Sequence, residues 1–287
     1  MLVTLNEILK YAEEHNCAIG AFNVPNLQCI TAVISAAEEL NHPVIIQHAP
    51  LHNQYVDFDV IASIMLAAAR NSKVMVCVHL DHGSDIDEIK HAIDLGFTSV
   101  MYDGSDLSFE ENVKNTQIVV EMAHAKGVSV EAEIGVMVRK ETVSYDEVVP
   151  EMTPDMYTDP AQADEFVKLT KIDALACSVG NIHGIYAAKP KLDYERIDTI
   201  KKLVGIPLVM HGGSGIDREG YERSISFGIR KINYYTYMAK AAAEYIVKNE
   251  NDYHFYHDIV MDAIKVMKEN SKNAMEIFSM RKPSILD

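Results

Sequence analysis

Three histidines in this chain share one local setting. His82 in HLDHG, His183 in GNIHG and His211 in VMHGG each follow an apolar run, and each precedes a glycine. Three protein ligands with a fourth position left open to substrate is the pattern of a catalytic zinc. Taken singly, each is as readily a solvated or core histidine; three in the same setting point to a common metal. His79 competes with His82 for ligand status. Side chains alternate along a strand, so His79 shares a face with Asp81 and lies one layer further in, the place of a buried hydrogen-bonding partner. The other histidines, His15, His42, His48, His52, His91, His124, His254 and His257, fall on helices or loops and are expected mostly at the surface.

Carboxylates gather at the same run ends. Asp81 adjoins His82, and Asp103, Glu131 and Glu133 close the neighbouring runs MYD and VEAE. Glu131 and Glu133 fall on one face of their strand. A carboxylate there is costly to bury without a cation or hydrogen-bonded partner. A metal would serve, and so would a lysine or arginine from a neighbouring strand. The stretch HGGSG, directly after the last of the three histidines, offers unobstructed backbone N–H groups and the Ser214 hydroxyl, a setting suited to phosphate.

These residues need elements to position them. Thr4 and Glu7 form a capping box for a first helix. Apolar runs then alternate with helical patterns: AIGAFNV, HPVIIQHA, KVMVCVHL, TSVMYD, VSVEAEIG, DALACSVG, IPLVMHGG and IRKINYY read as strands. Apolar residues at nearly every position fit strands buried on both faces. The helical patterns between them are closed by features such as Gly96 and opened by features such as Pro160. A polar segment over residues 138–158 interrupts the order, and a long helix over about 254–279 ends it. No Pro-, Gly- or Ser-rich boundary divides residues 1–287, so one domain is expected. Eight βα units predict a single (β/α)8, or TIM, barrel with an extra N-terminal helix and a long C-terminal one. In such a barrel the chemistry lies at the carboxyl ends of the strands, with phosphate held after strands seven and eight. A doubly wound open sheet is the alternative, but it wants a Gly-rich loop after the first strand, and AFNVPN is not one.

The net charge of −16 argues against nucleic acid as the main partner. A phosphorylated small molecule stays compatible with it, because backbone N–H groups bind phosphate without a basic surface. Cys17, Cys29, Cys77 and Cys177 are far apart, which points to a reducing compartment. The N-terminus is amphipathic with early acids, unlike a signal peptide, and no apolar run is long enough to span a membrane. A cytoplasmic protein with no membrane partner is expected.

Together, AFNVPN, HLDHG, SVMYDGS, VSVEAEIG, SVGNIHGIYAAKPKLD, PLVMHGGSG and KIN..T resemble the class II, metal-dependent ketose-bisphosphate aldolases over nearly the whole chain. The resemblance implies a lyase of carbohydrate metabolism, as in glycolysis. It would split a fructose or tagatose 1,6-bisphosphate into dihydroxyacetone phosphate and glyceraldehyde 3-phosphate. It implies Zn2+ on His82, His183 and His211, with Asp103 and Glu133 able to hold the metal in a second position. It implies Asp81 as the acid handling the proton of the cleaved hydroxyl, and Glu141 as the group that removes the C3 proton. Gly184, Gly212, Ser214, Asn233 and Thr236 match the phosphate site, beside which a monovalent cation, Na+ or K+, is often bound. The family's shared sites imply a homodimer or homotetramer.

Departures from the family pattern fall in three places. In GVMVRKET, Val138 and Arg139 stand for the glycines of the lid and Thr142 for its second acid, although Glu141 is kept. YYTY follows Asn233 where smaller or acidic residues are usual. His254 stands where an arginine often binds the distal phosphate, with Arg139 as a possible substitute. A sister reading therefore keeps the mechanism on a ketose phosphate lacking the distal phosphate. A Schiff-base lyase would need a lysine pointing into the barrel. Lys231 is expected to open the last strand and Lys189 to lie in a loop, so neither qualifies. A non-catalytic aldolase-like subunit is the remaining alternative, against which the three histidines and Asp81 stand.

Overall fold

The computed structural model describes residues 1–135, 156–182 and 190–281. The strands are β1 (Leu2–Val3), β2 (Ile19–Asn23), β3 (Val44–His48), β4 (Val76–Gly83), β5 (Ser99–Tyr102), β6 (Ser129–Ile134), β7 (Ala174–Cys177), β8 (Leu208–Met210) and β9 (Ile229–Tyr234). The helices are α1 (Leu5–Glu14), α2 (Leu27–Glu39), α3 (Phe58–Asn71), α4 (Ile86–Leu95), α5 (Phe109–His124), α6 (Pro160–Thr170), α7 (Tyr194–Val204), α8 (Arg218–Ser226), α9 (Thr236–Lys248) and α10 (Tyr256–Phe278). All pairings are parallel, in the order β4-β3-β2-β9-β8-β7-β6-β5, and β5 pairs back to β4. The eight strands β2–β9 thus close into a barrel, as the alternation of runs predicts. One strand was not legible in the sequence: β1 adds its two residues beside Val76 and Cys77, below the point at which β5 joins β4.

The sequence explains the local starts and stops. The capping box is formed, with the Thr4 N–H donating to Glu7 Oε2 at 2.7 Å and the Glu7 N–H to Thr4 Oγ1 at 3.2 Å. Side chains of Asp57, Asp85, Ser108, Asp159, Asp193 and Asp217 cap later helices by accepting N–H bonds of the first turn. These caps satisfy orphan donors, and the aspartates among them put negative charge at the positive helix end. Gly96 and Gly205 end α4 and α7 in the left-handed conformation that side chains rarely adopt.

The strands face two cores. Their outer faces pack against the helices in one large apolar cluster. Their inner faces carry Ile19, Ala21, Ile45, Cys77, Met101, Ala174, Ala176 and Val209, sealed from below by Leu5, Ile8, Leu9 and Ala12 of α1. The extra N-terminal helix is therefore a plug for the bottom of the barrel. Above this plug the inward positions turn polar: Asn23, Gln47, His79, Asp81, Ser99, Glu131, Glu133, Lys231 and Asn233 are all buried. The long helix α10 packs on α2 and α9, and its Phe278 ring meets Tyr221 edge-on at 4.9 Å. Among the described residues, no helix is long and apolar enough to cross a membrane.

Two placements differ from the sequence reading. Lys231 does not open its strand; it is the third residue of β9, fully buried inside the barrel. Three of the histidines assigned to helices and loops are buried, namely His42, His48 and His52. His48 ends β3 on its outer face, 5.3 Å from the Phe58 ring. His15, His91, His124, His254 and His257 are exposed.

His42 gives this fold an acid-sensitive point. Burial, followed by the Arg281 charge, pushes its imidazole down from the ordinary 6.5 to about 4. The folded state thus favours the neutral ring. Stability is complete above pH 6.5 and is lost as pH falls toward 4. A His42→Leu variant is expected to lose about 2 kcal/mol less stability than the wild type between pH 7 and pH 4.5. Urea unfolding at the two pH values checks this, and an equal loss in both proteins would exclude the assignment.

Candidate active site

At the carboxyl end of β4, Asp81 and His82 are consecutive, so regular alternation would send them to opposite faces. Asp81 follows the inward set. His82 belongs by parity to the outward set of Val76, Val78 and Leu80, but its backbone sits at φ 50°, in the left-handed region. There the pairing slips, since Leu80 lies opposite Val100 and Gly83 opposite Tyr102. This bulge turns His82 over the barrel mouth. Left-handed backbone in a non-glycine residue costs about 1–2 kcal/mol, a strain typical of functional positions.

Carboxylates fix the tautomers of both described histidines. Ionised carboxylates only accept, so the nitrogen they touch carries the proton. Asp103, just beyond β5, holds His82 Nδ1 at 2.6 Å, which turns Nε2 inward. Glu131 holds His211 Nε2 at 2.8 Å, which turns Nδ1 inward. His211 follows β8, and its carbonyl accepts from Asn181 Nδ2 at 2.9 Å. The two inward nitrogens lie 2.9 Å apart. Two lone pairs facing each other at that distance repel, so the arrangement suits a shared proton or a cation.

Asp81 is 4.0 Å from His82 Nε2. Amide N–H groups surround its carboxylate: Asn23 at 2.9 Å and Gln47 at 3.1 Å on Oδ2, and Asn233 at 3.0 Å on Oδ1. Burial works to raise its pKa, but the charges of His82, His211, Lys231 and His79 outweigh it and hold the carboxyl well below the carboxylate range. Asp81 is therefore ionised at neutral pH and aimed at the mouth of the barrel.

Glu131 and Glu133 both point into the barrel. Glu131 pairs with Lys231 Nζ at 2.8 Å, from across the barrel rather than from a neighbouring strand. His79 lies in the same layer, its Nδ1 2.8 Å from Ser99 Oγ and its Nε2 3.7 Å from Glu131 Oε2. It is a buried polar support, as its parity predicts, and burial pushes its imidazole down to about 3. Glu133 differs. Both of its oxygens are buried without a hydrogen bond, and burial raises its carboxyl to about 7.

That orphaned carboxylate is the test of whether a metal fits. Atoms of His82, Asp103 and Glu133 lie within 4.8 Å of one another, as do those of Asp81, His82 and His211. The two sets share His82, and both mix imidazole nitrogen with carboxylate oxygen, a donor set suited to zinc. The residues fit the ion.

The glycine-rich loop after β8 meets the end of β9. A Cβ on Gly213 would lie 2.5 Å from Ile232 Cγ2 and 2.8 Å from the Asn233 carbonyl oxygen, so only glycine allows this approach. Gly212 takes φ 59°, and Ser214 Oγ accepts the Tyr235 N–H at 3.1 Å. Thr236 opens α9 beside them. Gly212, Ser214, Asn233 and Thr236 thus belong to two adjoining loop ends. His183, Gly184 and Glu141, with Arg139 and Lys189, lie outside the described residues. His254 is exposed, its backbone N–H donating to Asp258 Oδ2 at 3.2 Å. Sequence reasoning missed Asn23, Gln47 and Lys231. Their signal was polarity at inward positions of otherwise apolar strands.

A closed parallel barrel with imidazoles and carboxylates converging above its strands, next to a glycine-lined loop, defines a barrel enzyme equipped for metal-assisted chemistry on a small anionic substrate. The sequence matches the family described as Fructose-bisphosphate aldolase class-II over residues 3–282. It is 44% identical over 259 residues to a fructose-bisphosphate aldolase of Geobacillus stearothermophilus, covering 88% of each chain. It is 38% identical over 283 residues to that of Staphylococcus aureus, covering 96% of this chain and 97% of the relative. Among solved structures, the YdjI aldolase from Escherichia coli K12 superposes with a TM-score of 0.87 at 33% identity, over 97% of both chains. The chain belongs to the class II fructose-bisphosphate aldolase family and is a lyase of that metal-dependent class.

Glu133 separates metal binding from fold stability. Glu133→Gln removes an uncompensated buried carboxylate and is expected to stabilise metal-free protein by about 1–3 kcal/mol. The same change should weaken the rise in melting temperature that added Zn2+ produces. His82→Ala and His211→Ala should remove most of that rise. Thermal melts of metal-stripped protein with and without Zn2+ measure both effects.

Proposed function

We propose that this chain is a zinc-dependent aldolase that reversibly cleaves a ketose 1,6-bisphosphate, fructose or tagatose, to dihydroxyacetone phosphate and glyceraldehyde 3-phosphate. The observation that carries this reading is the convergence of an ionised, amide-held Asp81 with two carboxylate-oriented histidines over one point of the barrel mouth. Relatives at 44% and 38% identity that carry the name fructose-bisphosphate aldolase support it.

His82 and His211, with His183 as the third ligand, would hold the zinc, and Asp103 and Glu133 would offer it a second position. Bound there, zinc supplies a Lewis acid for the carbonyl oxygen that takes up charge as the carbon–carbon bond breaks. In the cleavage direction Asp81 accepts the proton of the C4 hydroxyl. The C3–C4 bond then breaks as the C4 carbonyl forms, and its electron pair passes toward the C2 carbonyl. Protonation at C3 by Glu141 completes the ketone. In the condensation direction Glu141 removes that proton and Asp81 returns one to the new hydroxyl. Gly184, Gly212, Ser214, Asn233 and Thr236 bind the phosphate next to the ketone, with Na+ or K+ beside it. We place the enzyme in the cytoplasm as a homodimer or homotetramer built from one barrel domain, with no nucleic-acid or membrane partner.

A second reading keeps this mechanism on a ketose phosphate without the distal phosphate. The exposed His254, standing at the position of the family's arginine, favours it.

Turnover of the zinc-loaded enzyme on fructose and tagatose bisphosphates and their monophosphates tests the reading. Cleavage of a bisphosphate should be abolished by chelator and unaffected by borohydride. Asp81→Ala should lower kcat by about 10²–10⁴. Glu141→Ala should suppress exchange of the dihydroxyacetone phosphate C3 proton by a similar factor. An Asp81→Ala enzyme with full activity would remove Asp81 from the mechanism.

A further inference from the structure

Lys231 is fully buried in the middle of β9, and the mechanism does not use it. Its Nζ lies 2.8 Å from Glu131 Oε2 and 2.8 Å from Asn233 Oδ1. Each of these partners touches a different half of the site. Glu131 Oε1 is 2.8 Å from His211 Nε2, and Asn233 Nδ2 is 3.0 Å from Asp81 Oδ1. We propose that Lys231 is a positioning residue for both halves at once, aiming the metal-ligating His211 through Glu131 and the proton-handling Asp81 through Asn233. The proposal rests on the function proposed above for the roles of His211 and Asp81.

The polarity of each contact carries the inference. An ammonium only donates. On the first arm its charge pairs with Glu131 Oε2, so Oε1 is the oxygen that accepts the Nε2–H of His211, and Nδ1 must be the nitrogen turned toward His82. A partner that fixes a ligand's tautomer and ring orientation commonly changes metal affinity by about 10–100-fold when it is removed. On the second arm, an Asn amide has two ends of nearly equal shape. Only its oxygen can face Lys231, so its NH2 must face Asp81. Turned the other way, the amide would put oxygen against a carboxylate and repel it. Gln47 tightens this arm, since its Nε2 donates to both Asn23 Oδ1 at 2.9 Å and Asp81 Oδ2 at 3.1 Å. One cation therefore sets the sense of a chain of donors reaching from β6 through β9 to β4.

The test compares wild type with Lys231→Met. Two quantities are read: the Zn2+ dissociation constant, by competition with a chelating indicator, and, at saturating Zn2+, the ratio of fructose bisphosphate cleavage to C3 proton exchange in dihydroxyacetone phosphate. Exchange needs the metal but not the C4 hydroxyl that Asp81 serves. Lys231→Met is expected to weaken zinc about 10–100-fold and to lower the ratio about tenfold or more. Ile45→Ala loosens the same barrel interior without touching the chain of donors. It controls for lost stability and should move neither quantity. Where Lys231→Met fails to fold, the double variant Glu131→Gln/Lys231→Met leaves neither charge of this pair unmatched, and the Asn233 arm is read from the ratio, which should fall as far. Wild-type zinc affinity in a folded variant, or an unchanged ratio, overturns the proposal, and so do losses matched by Ile45→Ala. A wild type that binds zinc but neither cleaves nor exchanges defeats the proposed function instead, and the zinc affinities alone then decide the His211 arm.

Discussion

The ion pair between Lys231 and Glu131, 2.8 Å long and closed off inside the barrel, is the interaction on which the rest of the site depends. Charges in such a place must be matched, because leaving one unpaired is worth several kcal/mol. The inward face of the upper barrel carries the carboxylates of Asp81, Glu131 and Glu133 against the single ammonium of Lys231. Glu131 is neutralised by that ammonium. Asp81 is offset by amide donors and nearby positive groups. Glu133 has no hydrogen bond, and burial outweighs the nearby His82 charge and raises its pKa. The interior is thus electrostatically complete only with added positive charge near His82, where the two ligand sets overlap. A divalent cation would meet that requirement.

The layering of the barrel follows from the same requirement. Apolar inward residues, plugged by α1, occupy the lower half, and the polar chain occupies the upper half. The rigid lower core holds the strands in register, and register fixes which side chains meet. Asn23 lies opposite Gln47, and Gln47 opposite His79, so the donors around Asp81 come from successive strands at set heights. At His82 the regular pattern is broken. The bulge there converts two consecutive residues into neighbours over one site, at the cost of a strained backbone.

Much of this was legible in the sequence, because alternation is a strong rule in strands buried on both faces. It put His79 below Asp81, and Glu131 and Glu133 on one face, as observed. The closed barrel followed from the repeated βα units. What alternation cannot show is its own interruption. The position of His82 past the run suggested a ligand, but nothing local predicts a left-handed residue that turns it inward. Lys231 was misread for a related reason. The strand edge was placed by apolarity, and a lysine in IRKINYY looks like an exposed end until its parity with Asn233 is noticed. His48 and His52 belong to the histidines expected mostly at the surface from their place on helices or loops, whereas packing against Phe58 and Tyr235 buries them.

The placement of Lys231 also bears on why this barrel uses a metal. A Schiff-base enzyme needs an amine whose lone pair can reach a carbonyl. Here the only lysine inside the barrel among the described residues is ion-paired with Glu131 and donates to Asn233, below the level of Asp81. Both members of the ion pair are fully buried, closed off from the mouth. Freed from the ion pair, it would leave Glu131 as a buried, unmatched anion in contact with His211. The same contact that orients the histidine therefore withholds the lysine from nucleophilic chemistry. A lysine so held fits the metal-dependent class to which the chain belongs.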